Sequence, residues 1–424
     1  MGKQKDTFVT AFALFSLFFG AGNLILPPLL GFKSGGLWWL VTLGFCISAV
    51  LIPILGILAH AKLQGTMFNF AEKISPRFSL VYCFIVYAIS ISLPSPRTAS
   101  VTHEIAIQPF FNSSSLLTSA LYFGLVFVFV MNRSKILNII GKLLTPTIIL
   151  ILLSLIGITL FSYDFDFGVA AIDSPFSNGI LEGYQTFDAI GAVVVGGVII
   201  VSINLKKVEA SYAEKKAMIA SAGWLAGLGL LLIYAGLILT GALHGTAFDV
   251  EISRTGLLTG ISTKTLGNTA NLFLSLLVAL ACFTTAVGIV TGTADFVKSR
   301  FKNSHKAYTV TAIVGCVLGV VMGQFKVGYI IAVAVPALMF IYPVTIMLIL
   351  LNVAPERYAS PLVFRAVIIT TILFSVPDFL GSIGIAQNPE GEIFSWIPLS
   401  EFQMGWVLPA IVIFVLVNVF GGKK

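Results

Sequence analysis

Charge is what this sequence has least of. Only 10% of its residues are Asp, Glu, Lys or Arg, against roughly 25% in an ordinary soluble domain. No polar stretch long enough to form a separate soluble domain interrupts the apolar runs between Phe8 and Phe420. That deficit excludes a water-soluble fold. Cysteine is equally sparse: Cys46, Cys83, Cys282 and Cys316 all fall inside apolar runs, with no CxxC pair and no histidine at ligand spacing, so they read as small core hydrophobes and not as a transition-metal centre. The four histidines, His60, His103, His244 and His305, are scattered without metal-ligand spacing or catalytic pairing, which argues against a membrane enzyme. The net charge of +7 comes from short basic clusters between apolar runs, none interleaved with aromatics as a single-strand groove requires, so nucleic acid is excluded as a partner.

What is there is aliphatic. Of 424 residues 57% belong to the hydrophobic set, and the mean hydropathy is +1.00. A hydrocarbon core about 30 Å thick takes about 20 apolar residues per helical span. Twelve such segments fit: 8–30, 37–58, 78–110 (interrupted near Pro94 and Pro96), 116–131, 143–161, 180–203, 217–243, 272–297, 308–323, 329–351, 363–385 and 402–420. The chain therefore reads as an all-α polytopic membrane protein of about twelve transmembrane helices, a single integral domain set in a lipid bilayer. With the N-terminus placed in the cytoplasm, twenty of the 25 basic residues fall on that side; Lys33, Arg254, Lys264 and Lys326 fall opposite, and Arg97 lies within a span. This positive-inside bias predicts that both termini are cytoplasmic.

Lys3 and Lys5 ahead of an apolar run could also open a secretory signal. The run 8–30 is longer than a signal core, however. It also holds Gly20, Gly22, Asn23, Pro27 and Pro28. Two glycines, an amide and a proline pair that cannot donate invite local unwinding at mid-membrane, which is tolerated only where the backbone lines a cavity or is buried by protein. Five spans later, Glu182-Gly183-Tyr184-Gln185-Thr186-Phe187-Asp188 is polar and glycine-containing again. Because five is odd, a second five-helix unit enters the membrane from the opposite side, and paired irregular helices in inverted halves point to a transporter's central site. A channel would need charged rings or a repeated filter motif, which the sequence lacks. A six-plus-six arrangement would place the correspondence six spans apart.

The run from Leu14 to Pro28 around Phe19-Gly20-Ala21-Gly22-Asn23, the Pro96-Arg97-Thr98-Ala99 of span three, and Gly183-Tyr184-Gln185-Thr186-Phe187-Asp188 resemble the branched-chain amino acid:cation symporters, over the whole chain in length, span count and motif order. The resemblance implies a LeuT-type fold, with a first five-helix repeat at 8–161, an inverted second repeat at 180–351 and two additional helices at 363–420. It also implies uptake of leucine, isoleucine and valine across a bacterial cytoplasmic membrane, coupled to Na⁺ or H⁺. No organic cofactor and no obligate protein partner are expected, and the substrate partner is a small neutral aliphatic amino acid. Another small neutral amino acid on the same fold, or an uncoupled exchanger or channel, stands as the alternative.

A zwitterion needs donors for its carboxylate and acceptors for its ammonium. Free N–H groups at Ala21, Gly22 and Asn23 would face the carboxylate, aided by the positive end of the following half-helix. Carbonyls near Phe19, and around Phe187, Asp188 and Ile190, would take the ammonium. Phe18, Phe19, Tyr87, Ile91, Phe187 and Ile190 are plausible walls for an aliphatic side chain, or ordinary packing. The hydroxyl pair Thr284-Thr285 in span eight could simply bond back to its own helix. By analogy with LeuT-type transporters, the carbonyls of Ser16, Phe19 and Ala281 with the hydroxyls of Thr284 and Thr285 would hold Na⁺. No lysine lies inside span five, where some related transporters place a cation in lieu of sodium, and this favours Na⁺ over H⁺. Charged residues within spans are functional hypotheses: Asp188 could bind the cation, carry a proton or accept from the ammonium, and Arg97 and Glu104, seven apart, could share a helical face and pair, or serve in coupling or gating.

Overall fold

The computed structural model describes residues 2–132, 145–206, 209–385 and 396–421. Arg133, Lys135, Lys142, Lys207, Lys423 and Lys424, which contribute to the charge bias above, lie outside the described residues. Among the described residues there is no strand, and the described parts of the twelve apolar segments lie mostly on helix. Among the described residues seven helical runs are long and apolar enough to cross a bilayer, the longest being Ala21–Leu63, and three shorter apolar helices accompany them.

The chain forms two compact units. The first holds Met1–Val50, Tyr87–Phe187 and Ser221–Ile331. It begins with α1 (Gly2–Phe18), α2 (Ala21–Ser34) and α3 (Trp38–Cys46). The proline pair does not end a helix: Pro27 and Pro28 sit inside α2, and the interruption falls earlier, at Phe19 and Gly20. Proline is tolerated in a membrane helix where neighbours supply the lost contacts. In span three α6 (Pro76–Ser92) passes into α7 (Pro94–Thr102) at Leu93, after α4 (Ile52–Leu63) and α5 (Met67–Ala71). The turn there is continuous, Leu93 N–H donating to Ile89 O and Arg97 N–H to Leu93 O, because Pro94 stands at the helix start, where its missing N–H is not needed. A π-helical turn, His103–Ile107, closes the span.

Next in this unit come α8 (Ser115–Met131), α9 (Thr145–Ser162) and α10 (Pro175–Tyr184). They are followed, after α11 (Asp188–Lys206), by most of α12 (Tyr212–Leu243), then α13 (Arg254–Arg300), α14 (His305–Gly323) and the start of α15 (Val327–Val353). The stretch before span eight, read from sequence as a connection, is helical from Arg254 and joins the span through a kink at Gly267, where φ is +75°. Ser253 caps it by accepting from Gly256 N–H, and Leu257, Leu258 and Ile261 are its buried face.

Close helix approach in this unit depends on missing side chains. A methyl on Gly31 of α2 would run into the Ile238 carbonyl of α12, and one on Gly241 would run into the Pro28 carbonyl of α2. Neither carbonyl can swing aside as a side chain would. Gly31→Ala and Gly241→Ala are each expected to destabilise the protein by about 1–3 kcal/mol or more, seen as a lower melting temperature in detergent. Gly124→Ala and Gly381→Ala, where the added methyl meets nothing within 4 Å, should leave it unchanged.

The second unit holds Leu51–Val86, Asp188–Ala220 and Ala332–Lys424. It contains α4, α5, α11, most of α15, α16 (Pro361–Ser382) and α17 (Val407–Phe420). His60 of α4 is fully buried, with Nε2 2.8 Å from the Val193 carbonyl of α11 and Nδ1 3.1 Å from the Gly65 carbonyl. Gly196 lies under its ring and has no room for a side chain. Lys62 donates to the carbonyls of Asn352 (3.1 Å) and Ala354 (2.6 Å), capping the end of α15.

Candidate functional site

The break in span one is closed by a side chain. Phe19 N–H still completes α1 by donating to Phe15 O, but the next donor, Gly20 N–H, goes to Asn23 Oδ1 at 3.1 Å. The Ser16 carbonyl therefore loses its helical donor, and α2 starts afresh at Ala21. The first N–H groups of a helix have no acceptor one turn back. Asn23, 1% exposed, donates from Nδ2 to the hydroxyl of Tyr234 on α12. The Tyr234 ring is in turn stacked at 6.3 Å from Phe19 and set edge-on at 5.3 Å to Phe45. The Asn23 amide thus takes over the backbone donor that would have continued α1.

In span six α10 ends at Tyr184, and three tight bonds carry the chain round: Gln185 N–H to Glu182 O, Thr186 N–H to Gly183 O and Phe187 N–H to Tyr184 O. Phe187 is left with φ of +64°, a left-handed conformation that costs a non-glycine residue about 1–2 kcal/mol. Arg97 holds this turn. It is 3% exposed, its Nη1 donates to Gln185 O at 2.8 Å, and its Cζ lies 5.2 Å from the centre of the Phe187 ring. Its Nη2 lies only 2.5 Å from where a Cβ on Gly22 would stand. The second glycine of the motif is thus required by a guanidinium resting on the first turn of α2.

Thr284 and Thr285 both donate back to the Ala281 carbonyl, at 2.9 and 3.1 Å. Thr285 also abuts the break: its Oγ1 is 3.0 Å from the Cβ position of Gly20. Donating a proton leaves a hydroxyl its lone pairs, so both oxygens remain acceptors.

Phe19, Gly22, Asn23, Arg97, Phe187 and Thr285 are therefore gathered within the first unit. Asp188 and Ile190 belong to the second, where both are buried; Asp188 opens α11, a position that suits a carboxylate, and Ala189 N–H donates to the Tyr342 hydroxyl. Glu104 is bonded elsewhere than to Arg97, accepting from the Thr255 hydroxyl at 2.6 Å and from Val327 N–H at 2.9 Å. Of the candidate walls, Tyr87 stacks on Phe296 at 4.6 Å and Ile91 packs over Gly315. Sequence reasoning did not single out Tyr234 or Gln185. A tyrosine in an otherwise aliphatic span was the available signal for the first, and for the second an amide inside a span.

The model of the family described as branched-chain amino acid transport protein matches residues 3–424. The chain belongs to that family. It is 32% identical to the branched-chain amino acid transport system 2 carrier protein of Pseudomonas aeruginosa, over 98% of this chain and 95% of that one. It is also 32% identical to the branched-chain amino acid permease BraB of Bacillus subtilis, over 96% and 94%. Among solved structures, a Na⁺-coupled sialic acid symporter in a substrate-bound outward-open state superposes with a TM-score of 0.65 at 11% identity, covering 99% of this chain and 90% of that one. The inward-facing conformation of Mhp1 gives 0.64 at 11%, covering 98% and 90%. The fold is thus the LeuT-type fold, and the protein is a multi-pass membrane transporter and not an enzyme.

Proposed function

We propose that this protein takes up leucine, isoleucine and valine by Na⁺ symport, alternating access around the break in α1/α2. The observation that carries the reading is that break itself: a Ser16 carbonyl without its helical donor and an open first turn of α2, with Thr285 against Gly20. The amino acid's carboxylate is met at the N-terminus of α2, and the cation by the carbonyls of Ser16, Phe19 and Ala281 with the hydroxyls of Thr284 and Thr285. Neutral hard oxygens suit Na⁺. An ion so held ties α13 to the break and organises the substrate pocket, which is the physical content of coupling. One charge moved inward is worth about 2.3 kcal/mol per 100 mV, roughly a 50-fold accumulation before any ion gradient is counted. On this reading both termini are cytoplasmic, in keeping with the positive-inside bias of the sequence.

The test is radiolabelled leucine uptake into proteoliposomes under an inward Na⁺ gradient, an inward H⁺ gradient, or neither, with other amino acids as competitors. Accumulation driven by Na⁺ and competed by isoleucine and valine but not lysine or glutamate is expected. Uptake that never exceeds equilibrium would overturn coupling. Thr285→Ala is expected to raise the half-saturating Na⁺ concentration about tenfold, one lost oxygen ligand at about 1.4 kcal/mol, while leaving uptake at saturating Na⁺ within a few-fold of wild type.

A further inference from the structure

Spans three and eleven begin side by side, and each begins with an arginine. Lys73, just ahead of α6, has its Nζ 5.3 Å from the centre of the Phe364 ring at the start of α16. Arg365 returns the contact by donating from Nε to the Ile74 carbonyl at 2.9 Å. Both contacts lie inside the second unit, which takes in α6 as far as Val86 together with α16. Arg77 stands three residues beyond Ile74, in the first turn of α6, and like Arg365 it is exposed. The Lys73 charge is met by Glu356 at 3.7 Å. Among the described residues no acid meets either arginine: Arg77 makes no hydrogen bond or ion pair, and Arg365 makes only the bond through Nε. With Nε fixed, the two Nη groups of Arg365 form a fork of the kind that takes two oxygens of a phosphate. Below each arginine the helix is apolar and open. The Arg77 face of α6 continues through Val81 and Phe84, and the Arg365 face of α16 through Ile369 and Leu373, since residues three and four apart share a helix face. Val81, Ile369 and Leu373 are each more than half exposed.

We propose that the starts of α6 and α16 hold one anionic phospholipid, its phosphate diester on Arg77 and Arg365 and its acyl chains along Val81, Phe84, Ile369 and Leu373. Two cations alone would also attract inorganic phosphate, but that ion has nothing to lay on two apolar stripes. A zwitterionic phospholipid supplies the chains and then brings its own cation toward the arginines. Only an amphiphilic anion satisfies both halves of the surface. The lipid makes no use of the breaks in spans one and six, and its binding is independent of what the protein transports.

The experiment is native mass spectrometry of the purified full-length protein in detergent, titrated with phosphatidylglycerol or with phosphatidylcholine of the same acyl chains, which reads the first bound lipid and the oligomeric mass together. Wild type is expected to bind the first phosphatidylglycerol about 30-fold more tightly than phosphatidylcholine, two basic residues contributing roughly fivefold each. In Arg77→Gln/Arg365→Gln the preference falls to within about threefold, set by the basic residues that remain. Lys302→Gln/Lys306→Gln removes the same charge from an exposed turn of the first unit and should keep the wild-type preference. Excess inorganic phosphate is expected to leave the phosphatidylglycerol bound. A preference unchanged in the double arginine variant, or lost equally in the lysine variant, would show that net charge acts and not this pair, and the proposal is wrong. Displacement by inorganic phosphate would make this a free-phosphate site, and a change of oligomeric mass in the arginine variant would make the face a contact between copies; either overturns the lipid. Should the double variant fail to give monodisperse protein, Arg77→Gln decides, because that side chain makes no bond among the described residues: the preference then falls about fivefold or the proposal fails.

Discussion

Gly22→Ala is expected to lower the initial rate of leucine uptake about 100-fold, the loss that misplacement of a site by about 1 Å can cause. The added methyl would stand 2.5 Å from Arg97 Nη2 and 3.2 Å from the Gln185 carbonyl. A free guanidinium would move aside at little cost, but this one is bonded to that carbonyl at 2.8 Å and lies over the Phe187 ring. Yielding therefore means leaving the span-six turn, and the turn with its left-handed Phe187 loses what holds it. The damage is local, so size-exclusion behaviour should stay normal and the stability loss should remain within about 1–3 kcal/mol. Gly20→Ala makes the contrast. Its methyl meets the Thr285 side chain at 3.0 Å, and the expected effect is a weaker apparent Na⁺ affinity with uptake preserved at high Na⁺. Wild-type uptake by Gly22→Ala would mean that the guanidinium need not rest on α2.

The two breaks could be located in the sequence because each carries its cause within a few residues: glycines with an amide in span one, and a polar glycine-containing stretch in span six. Their exact form was less legible. Pro27 and Pro28 were the most conspicuous breakers and broke nothing, since proline's lost bonds matter only where neighbours do not compensate. The interruption fell instead where a side chain, Asn23, could take over a backbone donor. Partners distant in sequence were out of reach. Nothing local to Asn23 names Tyr234, 211 residues on. Span three itself suggested an Arg97–Glu104 pair from their seven-residue spacing, whereas each reaches a different helix. Thr284 and Thr285 show how little residue type alone settles: the back-bonded geometry weighed from sequence is present, and it still leaves the Thr285 oxygen beside the break. The helix preceding span eight was missed because its hydrophobic face is one-sided and short, below what a span search registers.

That helix carries the second large expected effect. Its first two residues hold two acids from other elements: Arg254 grips Glu182 of α10 with two bonds, 2.7 and 3.0 Å, and Thr255 donates to Glu104, which also accepts from the first N–H of α15. The start of α13 thus ties α10 to the end of span three. Glu182 lies three residues before Gln185, on a helix of only ten residues, so a shift of that carboxylate is passed to the turn that Arg97 holds. Glu182→Gln and Arg254→Ala are each expected to slow leucine uptake about tenfold, with the double variant no slower than either, as a coupled pair behaves. Additive losses would show that the two act separately. The contribution to stability is smaller, about 1 kcal/mol, since both side chains are roughly a quarter exposed and screened by solvent. The pair should also withstand alkali. Burial works against the Arg254 charge, but the Glu182 carboxylate more than offsets it and lifts the pKa above the ordinary arginine value. A cation whose folded-state pKa is raised keeps its full contribution until the pH approaches its unfolded value, so raising the pH from about 7 to about 10 should not loosen this tie. A fall in uptake over that interval that Glu182→Gln abolishes would contradict the assignment.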